Sequence, residues 1–136
     1  MDLMDIKILN TAIERALNRS MDPLDLTYAQ ASVIGYLARN QKKDICQKDV
    51  ERALGLTHPT ISSILNRLER KDLVTTAPFD KDHRYKKILL TKKSLALHRQ
   101  IEESIEHLTQ QIFNQVPQNS QKLFSLVISA MIKNLS

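Results

Sequence analysis

Apolar residues in this chain recur every three or four positions almost throughout, and the period changes in one stretch only, residues 73 to 90, where two short β-prone runs flank a charged loop. That single change of period constrains the fold most: it calls for a mainly α (α+β) protein that carries one β-hairpin. Ile6, Leu9, Ile13 and Leu17 mark an amphipathic helix over about 3–19, which Asp22-Pro23 closes because a proline disfavours helical geometry in the residue before it. Thr27 is a good N-cap for a second helix through Ala31, Ile34, Leu37 and Ala38. A polar loop at 40–44 follows.

The middle of the chain is the most informative. Val50, Ala53 and Leu54 give the helix over 47–54 an apolar side, and Gly55 suits the left-handed position that ends it. Thr57 is placed to cap a new helix with Pro59 in its first turn, where a missing N–H costs nothing. Ile61, Ile64, Leu65 and Leu68 then fall on one stripe, leaving His58, Thr60, Ser62, Ser63, Asn66, Arg67 and Arg70 outward. That outer face has no carboxylate before Glu69. Residues 73–77 are β-prone, 78–85 form a charged loop, and 86–90 return as a strand with Ile88 and Leu90 on one face. A helix-turn-helix with a wing behind it is the expected unit.

Thr91 caps the long helix that follows, with Leu97, Ile101, Ile105, Leu108 and Ile112 on one face. Ending near Val116-Pro117, it would hold about 25 residues and span roughly 37 Å. The last helix, 118–135, is apolar around most of its circumference, so packing on one side cannot satisfy it.

Charge sharpens this picture. The chain has 136 residues and a formal net charge of +5. From His58 to Lys93 there are nine basic and four acidic residues, whereas the remainder holds 11 of each. The whole surplus therefore lies on the second helix of the helix-turn-helix and the wing, the footprint expected for a polyanion. A helix fits the major groove, where Arg67 and Arg70 suit phosphate or guanine contacts and Thr60, Ser62 and Ser63 permit close approach. Gln47, Lys48, Thr57, His58 and Asn66 complete the DNA-facing set on the two helices. In the wing, Lys81, Arg84 and Lys86 are candidate DNA contacts, and Asp82 is expected to brace the loop by pairing with a basic neighbour.

Asp82-His83-Arg84 followed, after five residues, by Leu90-Thr91 resembles the wing signature of the MarR family of transcription regulators. Segments 56–62 and 68–74 resemble that family's recognition helix and its exit, and 26–30 the start of its second helix. One departure is Asp72, where the family commonly has Gly; Asp tolerates left-handed geometry moderately well. The resemblance implies a single domain over 1–136: a winged helix-turn-helix at about 27–91, with helical dimerisation parts at about 1–20 and 92–136. It also implies a homodimeric, sequence-specific regulator, expected to repress, that reads a pseudo-palindrome of double-stranded DNA through recognition helix 57–71 and wing 78–86. A small lipophilic or aromatic effector, bound between the winged unit and the dimerisation helices, is expected to release it.

Other chemistries find less support. Two glycines exclude a glycine-rich phosphate cradle, and no nucleophile with an oxyanion site suggests an enzyme or a cofactor. No metal site is expected, since His98 with Glu102 and Glu103 with His107 read as a solvated face. No signal peptide or membrane span is expected, and a lone Cys46 fits a cytoplasmic protein. Cys46 occupies a helix N-cap, where a thiol is activated, so the alternatives are a thiol-based redox-sensing regulator or a winged helix that binds protein instead of DNA. The family's peroxide sensors, however, carry their reactive Cys near the start of the first helix, where this chain has none.

Overall fold

In the computed structural model, which describes residues 1–79, 82 and 84–136, the order is α1 (Leu3–Met21), a 3-10 turn (Asp22–Leu24), α2 (Tyr28–Arg39), α3 (Gln47–Leu54), α4 (His58–Arg70), β1 (Val74–Pro78), β2 (Lys86–Leu90), α5 (Lys92–Ile112) and α6 (Gln118–Leu135). The two strands pair antiparallel, with Val74 opposite Leu90, Thr76 opposite Ile88 and Pro78 opposite Lys86. No described helix is long and apolar enough to cross a membrane.

Local chemistry accounts for most boundaries. Thr27 and Gln30 form a reciprocal capping box at α2, and Thr91 with Ser94 does the same at α5. Gly55 ends α3 at φ 64°, and Asp72 takes the left-handed position after α4 at φ 61°. Thr57 stands at the α4 N-cap as expected, but its hydroxyl meets Thr60 Oγ1 at 2.9 Å and makes no side-chain cap to the backbone. Pro59 has already removed one of the first-turn N–H donors that a cap would satisfy.

α5 is shorter than its apolar pattern suggested. It stops at Ile112, giving 21 residues, because Gln115 turns left-handed at φ 63° and Val116 precedes Pro117. α1 runs on to Met21 and passes directly into the Pro23 turn.

One core joins the elements around α4. Val33, Ile34 and Leu37 of α2, Val50 of α3, Ile61, Ile64 and Leu68 of α4, Val74 of β1, Ile88 of β2 and Ile101 of α5 are all buried in it. Ile61 and Leu68 are wholly enclosed, so truncating either to Ala should cost about 2–5 kcal/mol. β2 is tied in separately, its Ile88 N–H donating to the Ile45 carbonyl at 2.8 Å. The core thus fixes the angle between α4 and the hairpin. α1 packs along α5 and α2, whereas α6 has no buried residue at all.

Candidate nucleic-acid interface

With Ile61, Ile64 and Leu68 turned into the core, Thr57, His58, Thr60, Ser63, Asn66, Arg67 and Arg70 stand exposed on the opposite side of α4. Lys48 of α3 is also exposed, whereas Gln47 and Ser62 are half-buried. The reason is mutual: Gln47 Nε2 lies 2.7 Å from Ser62 Oγ and 3.0 Å from His58 Nδ1. His58 Nδ1 in turn sits 2.8 Å from Glu51 Oε2. The start of α4 is therefore bolted to α3 by four polar side chains, three of them expected in the DNA-facing set.

Glu51 is the residue that sequence reasoning missed. It lies seven positions before His58 across the Gly55 turn, a spacing that brings them together only once the angle between α3 and α4 is set. Its side chain is 19% exposed beneath a histidine that is 69% exposed, so a carboxylate sits under the interface without facing out of it.

In the wing, Asp82 pairs with Arg84. Asp82 Oδ1 accepts from the Arg84 backbone N–H and from Nε, both at 3.1 Å, and Oδ2 accepts from a terminal guanidinium nitrogen at 2.9 Å. The Arg84 side-chain hydrogen bonds, then its backbone N–H, hold the Asp82 carboxyl below the usual carboxylate range, while the same pairing raises the guanidinium. Arg84 keeps 84% of its side chain exposed, so the brace orients it without covering it. Phe79 and Tyr85 stack edge to face at 6.5 Å where the loop leaves the strands, and Lys86 is exposed beside them. This aromatic pair was legible in principle, since the two residues flank the loop symmetrically. Lys81, expected in the DNA-facing set, and its neighbours Asp80 and His83 lie outside the described residues.

The structure spends part of the local positive charge on bracing. Lys71 reaches the Asp25 carbonyl and Gln30 Oε1, Lys93 Nζ donates to the Lys71 carbonyl at 3.0 Å, and Lys87 lies 4.0 Å from Asp44. Arg67, Arg70 and Lys86 have no ion-pair partner among the described residues. The outward charge is therefore concentrated on the second half of α4 and on the wing.

Two further expectations meet the structure here. His98 does not belong to a solvated face: its side chain is 17% exposed, with Nε2 2.8 Å from Glu102 and Nδ1 buried without a partner. No group of three or more potential metal ligands occurs among the described residues. Cys46 is half-buried at the α3 N-cap, where its backbone N–H donates to Asp49 Oδ2 at 2.9 Å.

Comparison with known proteins places this geometry. A family model described as MarR family matches residues 24–84, from the 3-10 turn to the wing arginine. A Staphylococcus aureus MepR–DNA complex superposes with a TM-score of 0.90 at 24% identity, covering 100% of this chain and 98% of that one. MarR from Oenococcus oeni PSU-1 is 27% identical with a TM-score of 0.76, covering 97% and 99%. MepR described as a transcription regulator of the S. aureus multidrug efflux pump MepA gives 0.81 at 23% identity, covering 100% and 99%.

Proposed function

Because the chain belongs to the MarR family of winged-helix transcription regulators, we propose that it binds double-stranded DNA sequence-specifically as a homodimer, represses transcription, and is released by a small lipophilic or aromatic ligand. The observation that carries this reading is the outer face of α4, exposed, polar and free of carboxylates from Thr57 to Leu68, beside a wing arginine held outward by Asp82. Residues 27–91 supply the DNA contacts, with α4 in the major groove and Arg84 at the adjacent minor groove, whose concentrated negative potential attracts arginine.

The dimer reading rests on what covers α6. Leu123, Leu126, Ile132 and Leu135 of α6, and Leu3 and Ile8 of α1, are exposed. Between these helices runs an apolar groove of about 500 Å³, walled by Ile6, Leu9, Phe124, Val127 and Met131. Apolar surface of this extent marks an interface. A second copy of the chain, burying segments 1–20 and 92–136, sets two recognition helices about one turn of DNA apart.

For the effector, the supporting feature is a cavity of about 520 Å³ between the winged unit and α5, lined by Leu24, Leu73, Ala96 and Leu97 with Lys71 and Lys93. That size suits a small organic molecule. Lys71 caps the end of α4, so a ligand seated beside it bears directly on the recognition helix.

Salt titration on a mixed-sequence duplex is the test. Affinity should fall steeply and log-linearly with salt, by a slope of about −0.9 per phosphate contacted. Ser62→Glu, which puts a carboxylate on the helix face, should abolish binding. A protein that retains no duplex at low salt, or a Ser62→Glu variant that binds like the parent, overturns the proposal.

A further inference from the structure

We infer that Glu51 is a positioning residue for base selection: by holding His58 Nδ1 from beneath, it presents His58 Nε2 to the major groove as a hydrogen-bond acceptor for the amine of adenine or cytosine. The inference rests on the DNA-binding reading above and adds what the first residue of α4 reads.

Hydrogen-bond inventory leads there. A carboxylate only accepts, so the 2.8 Å contact with Glu51 Oε2 requires that Nδ1 carry the ring proton. In the neutral imidazole the other nitrogen then has a lone pair. Nε2 lies across the ring from Glu51, on a side chain that is 69% exposed, and has no partner among the described residues. As placed, Gln47 turns its amide nitrogen toward Nδ1, the Ser62 hydroxyl and, at 3.4 Å, the His58 carbonyl, so a protonated Nδ1 requires the amide to turn over and give up that last contact. The two ends of an amide have the same shape, and with the oxygen toward Nδ1–H the amide accepts from the ring and from the Ser62 hydroxyl, which lies 2.7 Å away. Ring orientation is thereby set before DNA arrives, so less rotamer freedom is lost on binding.

In the major groove adenine N6 and cytosine N4 are donors, whereas guanine offers only acceptors and thymine an acceptor and a methyl group. An acceptor at the start of the recognition helix therefore discriminates by chemistry and not by size. Without Glu51 the ring is free to turn over or to carry its proton on Nε2, and the discrimination is lost while the positive charges of Arg67, Arg70 and Arg84 stay in place.

A double-mutant cycle tests this on a duplex selected by the parent protein from a random pool, using a panel in which each half-site base is replaced in turn. His58→Ala and Glu51→Ala should each flatten the preference at the same single position, by roughly five- to tenfold. Glu51→Ala should have no further effect on that position in the His58→Ala background. Glu51→Gln, whose amide oxygen still accepts from Nδ1–H, should restore the preference. Thermal melts of the variants at the parent's temperature keep unfolding out of the comparison. An unchanged base panel in either alanine variant, additive losses in the double variant, or failure of Glu51→Gln to restore the preference overturns the role of Glu51. Loss of all duplex binding by the parent at low salt overturns the DNA-binding reading itself, a separate outcome.

Discussion

Asp72→Gly should stabilise this protein, and the turn between α4 and β1 says by how much. Asp72 sits at φ 61°, a conformation that costs an L-residue about 1 kcal/mol and a glycine nothing. Its N–H donates to the Glu69 carbonyl and its carbonyl accepts from Thr91 Oγ1, so the backbone bonds survive the substitution. None of the side-chain bonds among the described residues uses its carboxylate, which stands just beyond the negative end of α4 and is disfavoured there by about 0.3–1 kcal/mol. Against these gains, glycine loses more freedom on folding, about 0.5–1 kcal/mol. The balance is about 1 kcal/mol in favour of glycine. For a chain of this length the unfolding entropy is about 0.3 kcal/mol/K, so Tm should rise by about 3 °C. The assay is thermal unfolding followed by circular dichroism at one fixed protein concentration, because the proposed dimer would make Tm depend on concentration. Asp72→Asn, which removes the charge but keeps the side chain's tolerance of this geometry, should gain less than Asp72→Gly. Asp72→Val, β-branched at positive φ, should fall below the parent. A glycine variant that melts at or below the parent, or a valine variant that melts as high as the glycine one, refutes the reasoning.

Arg84→Ala should weaken duplex binding, lower the salt slope by about one and leave Tm unchanged, as fluorescence anisotropy and a melt would show. The brace on that arginine has a predictable pH range: the Asp82 carboxyl is lowered on folding, so the pairing is complete above the ordinary carboxylate range and is lost as pH falls through the folded value. An NMR titration should therefore give the Asp82 carboxyl a lower midpoint in the parent than in Arg84→Ala, and equal midpoints would contradict the clamp. Leu126→Glu, on the exposed apolar face of α6, should convert a dimer to monomers by light scattering at micromolar concentration while α4 and the wing keep their fold. A dimer that persists moves the interface elsewhere.

Much of the fold was legible because its determinants act within a few residues. The reciprocal caps at Thr27 and Thr91, the left-handed turns at Gly55 and Asp72, the buried stripe of α4 and the strand pair are all set by backbone sterics and by neighbours three or four positions away. The Asp82–Arg84 brace belongs to the same class, two residues apart on one loop. Where the local signal was weaker, the expectation overran: the apolar spacing of α5 continues past Ile112, and only the left-handed turn at Gln115 shows where the helix ends.

By itself, then, the sequence determined the order of the elements, the buried side of each and the placement of positive charge along the chain. Tertiary structure decided which of those charges face outward, diverting Lys71, Lys87 and Lys93 into bracing contacts and leaving Arg67 and Arg70 on the helix. It also decided that His98 is half-buried, and that Gln47, Glu51, His58 and Ser62 meet. The physical reason is the range of the interactions. Helix period and capping are written in neighbouring residues, but a contact between α3 and α4 depends on the angle at which two helices cross, and the shared core around Val50, Ile61 and Leu68 sets that angle.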